Sequence, residues 1–303
     1  MIFHKNLKAQ NLVVGIFVFF HLVKSVSPKP PKLNLTYFVS GGTPYDSHDL
    51  GKFVVSIQLR SYHQDSKLGW YHFCGGTIIS SKKILTAAHC LYKHSGVLYM
   101  PYEIVVVVGL RHRFTRSDGT RIKDVALIKR HKSFRRGSTL FADVGFLILK
   151  DEIVFNNPRV GVIKLTNSRP RINELCTVVG WGKLFDKGPT SDKILFVDVE
   201  ILSRRDCKRK YGSSFTLGMI CAGYPENWER DSCSGDSGGP MICDNVLVGI
   251  VSWGVGCGRR HLPGVYTDVY SFRKWISKGM RLKPNYFVLV LSLSALKGSF
   301  IYI

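Results

Sequence analysis

From residue 39 onward the chain alternates short apolar runs with turn residues. Phe53-Val54-Val55-Ser56-Ile57, Ile104 to Val108, Phe146 to Leu149 and Val246 to Val251 are each four to six residues long and rich in Val, Ile and Phe. Runs of that length and composition are strands, and their spacing suits an all-β barrel or sandwich. One segment near the end, roughly Tyr270 to Ile276, has the pattern of a helix. No repeat at a solenoid period is visible.

Two apolar stretches fall outside that pattern. The first, Leu12 to Val23, follows His4, Lys5 and Lys8 and precedes Ser25, Ser27 and Pro28. A basic start, a short apolar middle and a small-residue exit describe a secretory signal peptide, assigned to residues 1–27. A membrane anchor is the alternative, but the run is shorter than the roughly 20 residues a span needs. Residues 28–38 open rich in Pro and Lys and read as a propeptide or linker; Asn34-Leu35-Thr36 is a glycosylation acceptor in a secreted chain. The second stretch, Tyr286 to Leu296, belongs to a hydrophobic tail, 284–303. It reads as a removed lipid-anchor signal, a peripheral membrane tail or an unstructured extension.

Composition adds two constraints. Eight cysteines, an even number, suit four disulfides in an oxidising compartment, although the count does not choose the pairing. A formal net charge of +22 draws the protein toward anionic polymers or membrane surfaces, and says nothing about fold. No nucleic-acid partner is expected.

Chemistry concentrates in Asp231-Ser232-Cys233-Ser234-Gly235-Asp236-Ser237-Gly238-Gly239-Pro240. Glycines on both sides of a serine allow a tight turn, an exposed hydroxyl and nearby N–H donors, as a nucleophile requires. Upstream stand Leu85-Thr86-Ala87-Ala88-His89-Cys90 and Ala142-Asp143-Val144-Gly145-Phe146-Leu147. These strings, in the order His, Asp, Ser, resemble the trypsin-like serine proteases of the chymotrypsin fold. The resemblance covers residues 39–283. It implies an all-β fold of two antiparallel six-stranded barrels with a C-terminal helix, the active site between the barrels.

It also implies roles. Ser237 is the nucleophile, His89 the general base and acid, and Asp143 the group that orients and stabilises the imidazole, as in the family's well-known triad. The N–H groups of Gly235 and Ser237 form the oxyanion hole. Asp231, six residues before Ser237, floors the primary pocket, with Ser232, Ser252, Trp253, Gly254 and Gly264 around it. That arrangement favours protein or peptide substrates with Arg or Lys at the cleaved bond. The implied disulfides are Cys74–Cys90, Cys176–Cys243, Cys207–Cys221 and Cys233–Cys257.

Three departures stand out. The family usually shows Asp-Ile-Ala-Leu where this chain has Asp143-Val144-Gly145-Phe146, which threatens the packing behind the aspartate. Family precursors are usually cut after a basic residue, and the freed N-terminus pairs with the aspartate before the nucleophile, here Asp236. Val39 best matches that N-terminus but follows Phe38, so an activating protease of chymotrypsin-like specificity is expected. The segment 109–124, where some trypsins bind calcium, holds Arg111, Arg113, Arg116, Arg121 and Lys123, so no metal or cofactor is expected. A rival reading keeps the scaffold but makes it a silent or precursor-locked homologue that binds anionic surfaces.

Overall fold

The computed structural model describes residues 42–44, 49–60, 68–135, 137 and 140–282. The signal peptide, the linker, Val39 and the apolar tail lie outside the described residues, as does the stretch 61–67.

Six strands form the first barrel: β1 (Val54–Leu59), β2 (His72–Ser80), β3 (Lys83–Thr86), β4 (Ile104–Val108), β5 (Arg121–Arg130) and β6 (Gly145–Leu149). They close in the order β1-β2-β3-β6-β5-β4, all antiparallel. The β-branched run in β4 is buried at every position, as is β6. β5 instead carries Arg121, Lys123, Lys129 and Arg130 and keeps only Val125 buried. A closed barrel leaves no unpaired edge for such a charged strand to protect.

The second barrel follows the same plan. β8 (Leu175–Gly180), β9 (Leu195–Ile201), β10 (Met219–Gly223), β11 (Pro240–Cys243), β12 (Val246–Trp253) and β13 (Gly264–Asp268) run in the order β11-β8-β9-β10-β13-β12. Pairing of β11 with β12 closes the ring, and the two-residue β7 (Lys164–Leu165) joins β12 in parallel. Two antiparallel six-stranded barrels are thus present, as the resemblance implied. All four expected apolar runs lie on strands, with Phe53 itself in a 3-10 turn ahead of β1.

Two helices matter. α1 (Arg204–Tyr211) was not anticipated, because only Cys207 of its eight residues is buried and no apolar stripe marks it. Its local signal is the cap: Ser203 Oγ accepts from Asp206 N at 3.1 Å. α2 (Val269–Met280) is longer than the sequence pattern indicated. It leaves β13 through Asp268, whose carboxylate accepts from Tyr270 N, and then crosses to the first barrel.

There it resolves one of the departures. Trp275 of α2 stacks on Phe146 of β6 with ring centroids 4.9 Å apart. Gly279, one turn on, faces the same ring: a Cβ there would lie 2.2 Å from Phe146 Cε2. Gly145 likewise faces Leu91 Cδ1 at 2.5 Å from a Cβ position. The large Phe146 is therefore matched by glycine at 279, and Leu91 by glycine at 145, so packing behind Asp143 is exchanged rather than lost. Lys83 of β3 adds a hydrogen bond from its ammonium to Met280 O, and burial lowers its pKa.

Gly279→Ala tests this match. In an ordinary helix interior the change is stabilising; here overpacking should destabilise by about 1–3 kcal/mol. Denaturant unfolding should show the loss, and Phe146→Leu in the same chain should recover part of it.

Candidate active site

The loop from Asp231 to Pro240 has almost no regular structure of its own. Gly235 (φ 107°) and Gly238 (φ 78°) make its turns in backbone regions that side chains rarely adopt. Internal bonds hold it: Asp236 N to Cys233 O at 2.9 Å, Gly239 N to Asp236 O at 2.8 Å. β12 holds it from one side, with Val251 O accepting from Gly238 N at 2.8 Å. The first barrel holds it from the other, with Gly75 N donating to Ser237 O at 2.8 Å. Backbone meets backbone at this seam, since a Cβ on Gly75 would lie 3.0 Å from Gly239 Cα. Among the described residues neither Gly235 N–H nor Ser237 N–H has an acceptor, which leaves two donors free beside the Ser237 hydroxyl.

A buried relay fixes the Gly235 peptide. Gln58 Nε2 donates to Ser56 Oγ at 2.9 Å, and Ser56 Oγ bonds His72 Nδ1 at 2.8 Å. His72 Nε2 in turn bonds Gly235 O at 3.0 Å. Burial lowers the His72 pKa to about 4, so the ring is neutral: it donates from Nε2 and accepts at Nδ1. Sequence reasoning did not single out this histidine. The one available signal was its place two residues before Cys74, on a strand whose register only the fold reveals.

His89 sits in a 3-10 turn, Ala88–Leu91, after β3. The disulfide Cys74–Cys90 anchors that turn to β2, and Cys90 Sγ lies 3.5 Å from Ser237 O. Asp143 enters from the start of β6, behind Ala142 at φ 53°. A non-glycine residue in that region carries strain of the kind found at functional sites. The Asp143 carboxylate is 1% exposed and fully engaged. Oδ1 accepts from His89 N at 2.8 Å. Oδ2 accepts from His89 Nδ1 at 2.7 Å and from Ser252 Oγ at 2.6 Å. Thr267 Oγ1 donates to the Asp143 carbonyl at 2.8 Å. With Nδ1–H donated to the carboxylate, Nε2 is the ring nitrogen that carries the lone pair. Ser252, expected in the pocket wall, thus also supports the aspartate.

Beside Ser237 lies a cavity of about 370 Å³, lined by Ser232, Cys233, Ser252, Trp253, Gly254 and Gly264 among others. Asp231 lies behind Ser232 and Gly264 at its base: a Cβ on Gly264 would sit 2.7 Å from Asp231 Oδ1. Asp231 Oδ2 accepts from Gly258 N at 3.1 Å, but Oδ1 is buried without a partner. Burial raises the Asp231 pKa to about 7. Among the described residues no cation pairs with this carboxylate. Asp236 is the second case. It is fully buried, its oxygens accept from Gly182 N (2.8 Å) and Cys233 N (2.9 Å), and burial raises its pKa to about 6. No cation among the described residues pairs with it.

The four disulfides of the structure are Cys74–Cys90, Cys176–Cys243, Cys207–Cys221 and Cys233–Cys257, which leaves no free cysteine. Cys74, His89 and Cys90 form the one cluster of potential metal donors among the described residues. Both sulfurs are spent in the disulfide, so the cluster offers no thiolate to an ion. Sequence position alone had scattered His89, Asp143, Asp231 and Ser237 over half the chain; the two barrels bring them to one seam.

The family profile described as trypsin matches residues 39–276. Human serine protease 1 is 34% identical over 250 residues, covering 81% of this chain and 96% of that protein. Trypsin-3 of Salmo salar is 36% identical, covering 80% of this chain and 99% of its own. Among solved structures, neuropsin, a serine protease expressed in the limbic system of mouse brain, superposes with a TM-score of 0.68 at 28% identity, covering 79% of this chain and 99% of that one. With its barrels, disulfides and sequence all in agreement, the chain belongs to the trypsin family and is a serine endopeptidase.

Proposed function

We propose that this endopeptidase cleaves after Arg or Lys, by an acyl-enzyme route through Ser237, and that it is secreted as a precursor. The observation that carries the specificity is the Asp231 carboxylate, buried at the base of the cavity with Oδ1 unpartnered. A guanidinium or ammonium reaching that oxygen offsets the desolvation that burial imposes.

The chemistry follows from the groups already placed. Ser237 Oγ attacks the carbonyl carbon as its proton passes to His89 Nε2. Negative charge moves to the carbonyl oxygen, which the Gly235 and Ser237 N–H groups receive. Asp143 stabilises the imidazolium without taking its proton. His89 then protonates the leaving amine, the C–N bond breaks, and an ester to Ser237 remains. Water repeats the sequence against that ester and restores the serine.

Activation rests on Asp236. A buried carboxylate whose oxygens meet only backbone N–H groups suits an incoming ammonium, and the amine freed at Val39 is the candidate. Because Phe38 precedes it, the protein would not activate itself. The disulfides and the apolar N-terminal run both favour secretion. The rival binding-only reading has less support, since a binding surface needs neither the Asp143–His89 pair nor two free donors at Ser237.

Ser237→Ala should lower kcat on an arginine ester by about 10⁶-fold while unfolding unchanged. Equal turnover by both proteins would remove the enzymatic reading. Gly264→Ala, which places a methyl against Asp231 Oδ1, should cut kcat/KM for arginine esters by roughly 10²–10³-fold, about the cost of breaking a buried pair. A carboxylate with a raised pKa holds its proton below about pH 7 and must release it when a cation binds. Benzamidine affinity should therefore rise with pH and level off above about 7. Calorimetry in two buffers of different ionisation enthalpy should show proton release at pH 6 and little at pH 8.5, and Asp231→Asn should abolish it.

A further inference from the structure

Away from the cleft, α1, the start of α2 and the loop 169–172 enclose a second cavity of about 460 Å³. Its wall is largely apolar and includes Phe141, Leu202, Phe215 and Phe272. Two of its residues project into solvent: Leu217 is 75% exposed and Ile172 is 61% exposed. Leu217 is the most exposed large apolar side chain among the described residues. Isolated surface apolar residues are ordinary, but two beside an apolar hole form a patch.

The rim is cationic. Arg169 and Arg204 line the cavity. Arg204 stacks over Phe215 at 5.0 Å, and Arg169 and Arg273 flank the Tyr270 ring at 5.9 and 3.8 Å. α1 adds Arg205, Lys208, Arg209 and Lys210 against the single acid Asp206, which Ser203 and Arg209 already occupy. Asp268 is the one carboxylate in the cavity lining, and it is taken up in capping α2 through Tyr270 N and Ser271 Oγ. The face therefore offers an apolar hole, a ring of cations and no unengaged acid to repel an anion.

We propose that this face docks an acidic segment of a partner protein, with one bulky apolar side chain seated between Leu217 and Phe272 and carboxylates on the arginine rim. Complementary charge steers the encounter, and the buried anchor supplies the residence. A concave site of this volume suits a side chain better than a lipid headgroup layer, which would ask for a convex apolar ridge. The proposal does not depend on the Arg/Lys specificity.

Binding is read by fluorescence anisotropy on the full chain carrying Ser237→Ala, so that the probe stays intact. The probe is a labelled peptide of eight glutamates interrupted by one phenylalanine; its partner probe replaces phenylalanine with glycine. The phenylalanine probe should bind at least tenfold tighter, and weaken as salt rises. Leu217→Glu and Arg169→Glu, both at exposed positions, should each weaken it severalfold, whereas Arg121→Glu on β5 should not. Equal affinity for the two probes, or equal loss from Arg121→Glu, would reduce the effect to diffuse charge and overturn the site. Binding to phosphatidylserine vesicles that Leu217→Glu abolishes, with no peptide binding, would overturn it in favour of a membrane.

Discussion

The carboxylate of Asp143 is the point on which the two barrels agree. It comes from the first barrel, as does the imidazole it holds, but Ser252 of β12 bonds its oxygen and Thr267 of β13 bonds its carbonyl. A charge with almost no solvent contact persists because three donors replace its water. Ser252 is the donor to the carboxylate that crosses between the barrels, so moving either barrel by an ångström breaks a hydrogen bond in a dry place. The geometry of His89 is thus set by the docking of the two barrels as well as by the disulfide-anchored turn that carries it.

Around that pin the second barrel stores unfavourable electrostatics. Asp231 and Asp236 are both buried, and desolvation, joined for Asp231 by the charge of Asp236, raises their pKa values to about 7 and about 6. Neither condition is relaxed by a described cation. The loop between them is consequently primed from two directions, and its glycine turns and the His72 relay are what keep it in shape meanwhile. In the proposed function, a substrate cation and a freed N-terminal amine are what would complete these two carboxylates.

Much of this was legible in the chain. β4 and the Phe146 to Leu149 run of β6 announce themselves because every position is apolar, and the serine loop because its chemistry is local. α1 was invisible: a helix that buries only Cys207 shows no stripe, and its cap at Ser203 is a weak cue amid Arg and Lys. The His72 relay was invisible for another reason. Gln58, Ser56 and His72 lie on paired strands, and nothing in their spacing says that Gly235 will arrive beside them. Nothing in the sequence says that the glycine at 279 will face Phe146.

That last contact bears on the order of assembly. Translation delivers β1 to β6 more than a hundred residues before α2, yet Phe146 and Lys83 find their partners only in Trp275, Gly279 and Met280. The early half of the nascent polypeptide can close its sheet but must leave one aromatic flank wet. Its final consolidation waits on a helix made after the whole of the other half, so the flank behind Asp143 is the last part of the first barrel to dry.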